Sequence, residues 1–95
     1  MATTVGVLHL ELNVVQAASL KDKRRVIKSF KDRTRNGGNV SIAEVDGLDS
    51  MRRAVLAVAM VGGDRSYLEG ALQNIVNKAA THRDMILVSH EIAWL

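Results

Sequence analysis

Eight consecutive apolar residues, Ala54 to Val61, fall into two alternating rows: Val55, Ala57, Ala59 and Val61 against Ala54, Leu56, Val58 and Met60. The run is too short for a bilayer-spanning helix, which needs about 20 residues. Read as a strand from Arg53 to Val61, it is apolar on both faces. Such a strand belongs in the interior of a sheet with both sides covered. Any fold for this chain must give that strand a neighbour on each edge and account for each of its faces.

The rest of the chain supplies the neighbours. Thr4 to Val15 alternates as a strand, with Leu8, Leu10 and Leu12 on one face and Val5, Val7, His9 and Glu11 on the other. After Gln16-Ala17-Ala18, Ser19 is a good helix N-cap, and Asp22 stands where its carboxylate can reach back to free N–H groups. Leu20, Val26, Ile27, Phe30 and Thr34 then recur at helical spacing to about Arg35. Asn36-Gly37-Gly38 predicts a stop in which glycine takes the left-handed conformation. Asn39 to Asp46 reads as a second strand, residues 47–51 as a loop, and Gly62-Gly63 as the turn out of the double-faced strand. A second helix capped near Asp64 carries Leu68, Ala71, Leu72, Ile75 and Ala79 inward, with Lys78, His82 and Arg83 toward its C-terminal end. Asp84 to Trp94 closes the chain as a strand.

The order βαββαβ in a single domain of 95 residues predicts a ferredoxin-like α+β fold: a four-stranded antiparallel sheet with two helices on one face. Right-handed crossovers put the first and third strands in the middle. The helices then cover one sheet face only, and the other shows Val5, Val7, Val55, Ala57 and Ala59 to solvent. An apolar patch of that kind marks an interaction surface, and face-to-face pairing into a homodimer is the first expectation for it.

Charge is distributed very unevenly. Lys21 to Arg35 holds eight basic and two acidic residues, a local charge of +6, while the remainder carries −3 and the whole chain +3. Lys21, Arg24, Arg25, Lys28, Lys31 and Arg35 gather on the helix face opposite the apolar stripe, with Asp32 among them. Lys23 points into the stripe, where it is expected to snorkel past the end of the sheet; a reactive, partly buried lysine is the alternative. A one-signed helix face of this strength suits phosphate contacts, which confer affinity and salt dependence more than sequence specificity. The bland reading is a solvated face that aids solubility.

Four segments carry a family resemblance: Val5 to Leu12, the block Ser19-Leu20-Lys21-Asp22-Lys23-Arg24-Arg25-Val26, Asn39 to Asp46, and Arg53 to Ala59. Together they resemble the YlxP-like family of small bacterial proteins of unknown function. The chain departs from that pattern at Asn36-Gly37-Gly38, where a bulkier residue is expected. The resemblance implies the same ferredoxin-like fold. It also implies a role with RNA or ribosomes, because the family's genes often lie beside those for translation initiation and ribosome maturation. It carries over no catalytic residue.

Other candidate sites weigh less. Aromatic residues are few, only Phe30, Tyr67 and Trp94, and no strand presents the stacked aromatics of an RNA-recognition sheet. His9 and His90 fall on strands that should pair, near Glu11 and Glu91, but without ligand spacing for a metal. Glu44, Asp46 and Asp49 could hold a cation, although turn chemistry suffices for Asp46-Gly47. Gly62-Gly63-Asp64 lacks the spacing of a phosphate loop. The chain has no cysteine and no proline, which excludes disulfides and thiolate metal sites and suits a reducing cytoplasm. No signal-peptide pattern or membrane span is read. The expectation is a cytoplasmic, non-enzymatic binding protein without metal or cofactor. Lys21, Lys23, Arg24, Arg25, Lys28, Lys31 and Arg35 would meet ribosomal RNA or a ribosomal subunit. An oligomeric module that binds a protein or small ligand through its apolar sheet face is the alternative.

Overall fold

The computed structural model describes residues 2–95. Its elements run β1 (Thr4–Asn13), α1 (Leu20–Asn36), β2 (Ser41–Asp46), β3 (Arg53–Gly62), α2 (Arg65–Ala80) and β4 (Ile86–Trp94). The strands form one antiparallel sheet in the order β2-β3-β1-β4. This is the ferredoxin-like arrangement, with β1 and β3 in the middle as their two-faced apolar patterns require. The pairing Thr4↔Gly62 through Asn13↔Arg53 joins them over ten residues without a break.

Register decides which row of each strand meets the helices. Leu8, Leu10 and Leu12 of β1 and Ala54, Leu56, Val58 and Met60 of β3 are buried. They pack with Ile27 and Phe30 of α1 and with Leu68, Leu72, Ile75, Val76 and Ala79 of α2. Each such large apolar side chain contributes roughly 1.5–3 kcal/mol by leaving water. Gly6 lies in the same inward row, and a Cβ there would come within 2.8 Å of both Leu72 and Trp94. Trp94 in turn lies under the Arg65 guanidinium, 4.6 Å from the ring centroid.

The local signals at the first helix work as chemistry suggests. Ser19 Oγ accepts from Asp22 N–H at 3.1 Å, and Asp22 reaches back to accept from Ala18 N–H at 3.0 Å. Asp64 caps α2 by accepting from Ser66 N–H at 3.0 Å. The other end of α1 departs from expectation. Gly37 is right-handed, with φ −87°, and its N–H is shared between Arg33 O and Thr34 O. The last turn closes by tightening rather than by a left-handed cap. Gly47 is the glycine with positive φ, at 75°.

Strand ends shift by tertiary demand. β1 ends at Asn13: Val14 N–H still donates to Arg52 O (2.8 Å) in line with the β1–β3 register, but Val14 O accepts from Ala17 N–H (3.1 Å), which turns the chain toward α1. β2 begins at Ser41 rather than Asn39, whose side-chain amide donates to Val61 O at 3.0 Å. Register shifts follow Glu44 in β2 and Glu11 where β1 meets β4. Both are bulges that bend the strands at one end of the sheet.

Candidate nucleic-acid interface

Lys21, Arg24, Arg25 and Lys28 stand exposed on the solvent side of α1, with Lys31 half-buried and Arg35 exposed at the end. Between Lys21 and Arg35 the stripe runs about 21 Å at the helical rise of about 1.5 Å per residue. Asp32 offsets part of the charge. It accepts from Lys28 Nζ at 2.7 Å and from Arg35 at 3.2 Å. The hydrogen bond from Lys28, reinforced by the nearby cations, holds the Asp32 carboxyl below the ordinary range. Arg35 is further drawn off by donating to Ile42 O at 3.3 Å. Lys21, Arg24, Arg25 and Lys31 have no ion-pair partner among the described residues, and they form the uncompensated part of the face.

Lys23 does not belong to this surface, and the expectation of a snorkelling lysine is overturned. Its side chain is fully buried. The ammonium donates to Glu44 Oε2 at 2.9 Å, Gly47 O at 2.8 Å and Arg53 O at 3.1 Å, which uses all three of its protons. Glu44 faces the helix side, where β2 bulges, and the two carbonyls belong to either end of the β2–β3 loop. A donor is needed there because a buried carbonyl without a partner is costly, and the first turn of α1 happens to dock against it. Lys23 is thus the bolt between α1 and the hairpin. Nothing within the helix sequence signals this, because its acceptors lie 21 to 30 residues downstream.

The carboxylates near the hairpin do not converge. Glu44 is committed to Lys23, whereas Asp46 accepts from Gly47 N–H at 2.8 Å and pairs with Arg53 at 3.4 Å. Arg53 also donates to Glu11 at 3.2 Å, and that bond chiefly raises its already high pKa. His9 pairs with Glu91 and Leu10 with His90, so the two histidines, one position apart in register, point to opposite faces. Among the described residues no group of three or more metal-ligating side chains converges.

The open face of the sheet has the predicted composition. Val5, Val7, Val55, Ala57 and Ala59 lie on the side away from the helices and remain partly exposed. Register adds Ala93 beside Val7, and Val61, 49% exposed, beside Val5. The opposite end of that face is polar, with the Glu11–Arg53–Asp46 cluster. No described helix is long and apolar enough to cross a membrane.

A four-stranded ferredoxin-like domain with one basic helix face and one open apolar sheet face is therefore the class of protein defined here. Residues 5–92 match the protein family of unknown function DUF503, and the chain belongs to that family. It is 35% identical over 72 residues to the uncharacterized protein YlxP of Bacillus subtilis (strain 168), a span of 76% of this chain and 78% of that one. Among solved structures, the de novo designed protein Foldit4 superposes with a TM-score of 0.53 at 15% identity, covering 98% of this chain and 96% of that one. A C-terminal segment of the alpha subunit of aIF2 from Pyrococcus abyssi superposes at 0.54 and 13% identity, over 100% of this chain and 51% of that one. At such identities the likeness concerns the fold alone.

Proposed function

We propose that this protein is a cytoplasmic, non-enzymatic binding protein that docks on structured RNA, in a ribosomal subunit or its precursor, through the exposed face of α1. The observation that supports this is the set of four cations, Lys21, Arg24, Arg25 and Lys31, left without carboxylate partners on one side of a capped, rigid helix. Charged helix faces that serve only solubility mix their signs; this one is predominantly basic, with Asp32 its one acid. Its affinity rests on counterion release, so about four phosphate contacts give a log–log salt slope of roughly −3 to −4. The test is binding to ribosomal RNA and small subunits over a salt series, compared with a variant carrying Lys21, Arg24 and Arg25 changed to Glu. That choice spares Lys23 and the Lys28–Asp32 pair, and circular dichroism verifies the fold. Loss of binding in the folded variant supports the reading. Equal binding by both proteins, or none by the parent near physiological salt, refutes it.

A second reading concerns the open sheet face, which we propose pairs with a second copy of the chain. Strands of ten, six, ten and nine residues about 4.8 Å apart present a face of roughly 550 Å². Two such faces total roughly 1,100 Å², at the small end of specific interfaces. A concentration-dependent dimer by light scattering that Val7→Lys abolishes supports this; a parent that stays monomeric refutes it.

A further inference from the structure

α1 packs on the β2 side of the sheet, α2 packs over β1, β3 and β4, and the helices make little contact with each other. The gap between them opens toward the end where α1 stops, as a groove of about 530 Å³. Its volume is within the usual range of small-molecule sites, roughly 300–1,000 Å³. The floor is apolar: Phe30 from α1, Val40 just before β2, Met60 from β3, and Leu68, Ala71 and Ile75 from α2. His82 stands edge-on to Phe30, 6.1 Å between ring centroids at 75°, and takes part in the wall. The mouth is low where Gly37 and Gly38 contribute no side chain.

The rim is polar and of one sign. Arg33 stands on the α1 bank and Lys78 on the α2 bank, and among the described residues no carboxylate lines the groove. Neither cation has an ion-pair partner among the described residues. Asn39 and Asn74 add amide donors. On α2, Tyr67, Ala71, Asn74 and Lys78 recur at intervals of four, three and four residues, so one face of the helix lines the groove from end to end. Arg33 is off the phosphate stripe of α1, on the flank toward α2.

We propose that this groove binds a small amphipathic anion, with an aliphatic body on the Phe30–Met60–Ile75 floor and a carboxylate or phosphate head held by Arg33 and Lys78. An apolar floor alone would accept neutral molecules equally; the two unpaired cations set the charge of the occupant. Two charge-assisted contacts to the head are expected to favour the anion about ten-fold over an uncharged analogue. The site is separate from the exposed face of α1 and does not depend on RNA binding.

The experiment is an amide chemical-shift titration of the full chain with four probes: octanoate, octyl phosphate, 1-octanol and inorganic phosphate. The expected result is saturable shifts at Gly37, Gly38, Ala71, Asn74 and Lys78 with one or both of the tailed anions, and whichever head binds tighter identifies the anion class. Octanol and phosphate alone should bind at least about ten-fold more weakly. A double reversal, Arg33→Glu with Lys78→Glu, should abolish the preference for the anion. Ala71→Phe should block binding by filling the floor while leaving both charges in place. Should either variant be poorly folded, the four-probe comparison on the parent still decides. Equal binding of octanol and octanoate overturns the proposal. So do phosphate alone binding as well as the tailed anions, shifts confined to the open sheet face, and the absence of saturable shifts.

Discussion

Replacing Lys23 with methionine removes an ammonium that holds one carboxylate and two carbonyls, while conserving the length of the apolar stem. The cost is therefore electrostatic and not that of a cavity. Removing one partner of a buried ion pair costs about 3–5 kcal/mol, because the survivor is left uncompensated. Here the survivor is Glu44, whose side chain keeps 12% exposure and can recruit some water, while Gly47 O and Arg53 O each lose a donor. The expected loss is about 3–4 kcal/mol. At about 4–8 °C per kcal/mol for a chain of this size, Tm falls by roughly 12–32 °C. Urea unfolding followed by far-ultraviolet circular dichroism measures it. A double variant with Glu44→Leu should recover about 1–2 kcal/mol, since the stranded charge goes while Arg53 O stays without its Lys23 donor and Gly47 O keeps only Ser50 N–H. Amide exchange should quicken first across residues 44–53, where the bolt is lost. A loss under about 1 kcal/mol for Lys23→Met, or no recovery with Glu44→Leu, would show that Lys23 does not hold α1 to the hairpin.

The same loop should be intolerant at Gly47. Its φ is 75°, and a Cβ would meet Arg53 O at 2.8 Å, a backbone atom that cannot step aside. Gly47→Ala is expected to cost about 2–3 kcal/mol, read as a lower urea midpoint at unchanged slope; a midpoint equal to the parent's would contradict the turn geometry. Asp32 should titrate below the ordinary carboxylate range, chiefly because Lys28 donates to it. Its folded pKa is depressed, so its stabilising contribution is present above the unfolded value and fades as pH falls through the folded one. Carboxyl-carbon NMR titration should show that midpoint rise toward normal in Lys28→Met or at high salt; a midpoint indifferent to both would remove Lys28 as the cause.

How much was readable in the chain depends on how local each cause is. The two-sided alternation of Ala54–Val61, the inward row Leu8-Leu10-Leu12 and the stripe through Ile27 and Phe30 each declare an element and its buried face within a few residues. Ser19 with Asp22, and Asp64 with Ser66, form caps inside a single turn. From these the βαββαβ order follows, then the central position of β1 and β3, then the open face bearing Val7 and Ala59. The basic stripe was equally visible, because residues spaced three and four apart on a helix must share a side.

Lys23 was not readable, nor was the fate of Glu44. Helical phase says that Lys23 points inward. It does not say that register sets Glu44, in the row of Ile42, opposite it, or that a loop brings Gly47 O and Arg53 O to the same spot. The right-handed end of α1 at Gly37 is likewise set by how the chain must leave the helix to enter β2. The groove holding Arg33 and Lys78 exists only because two helices sit apart on one sheet, 45 residues separating its two cations. Periodicity and capping are local hydrogen-bonding and burial problems, solved within a turn or a strand, so the sequence by itself determined the elements, their faces and the charge of α1. Which distant groups share a buried site depends on register, bulges and docking angles, and the tertiary structure alone decided that.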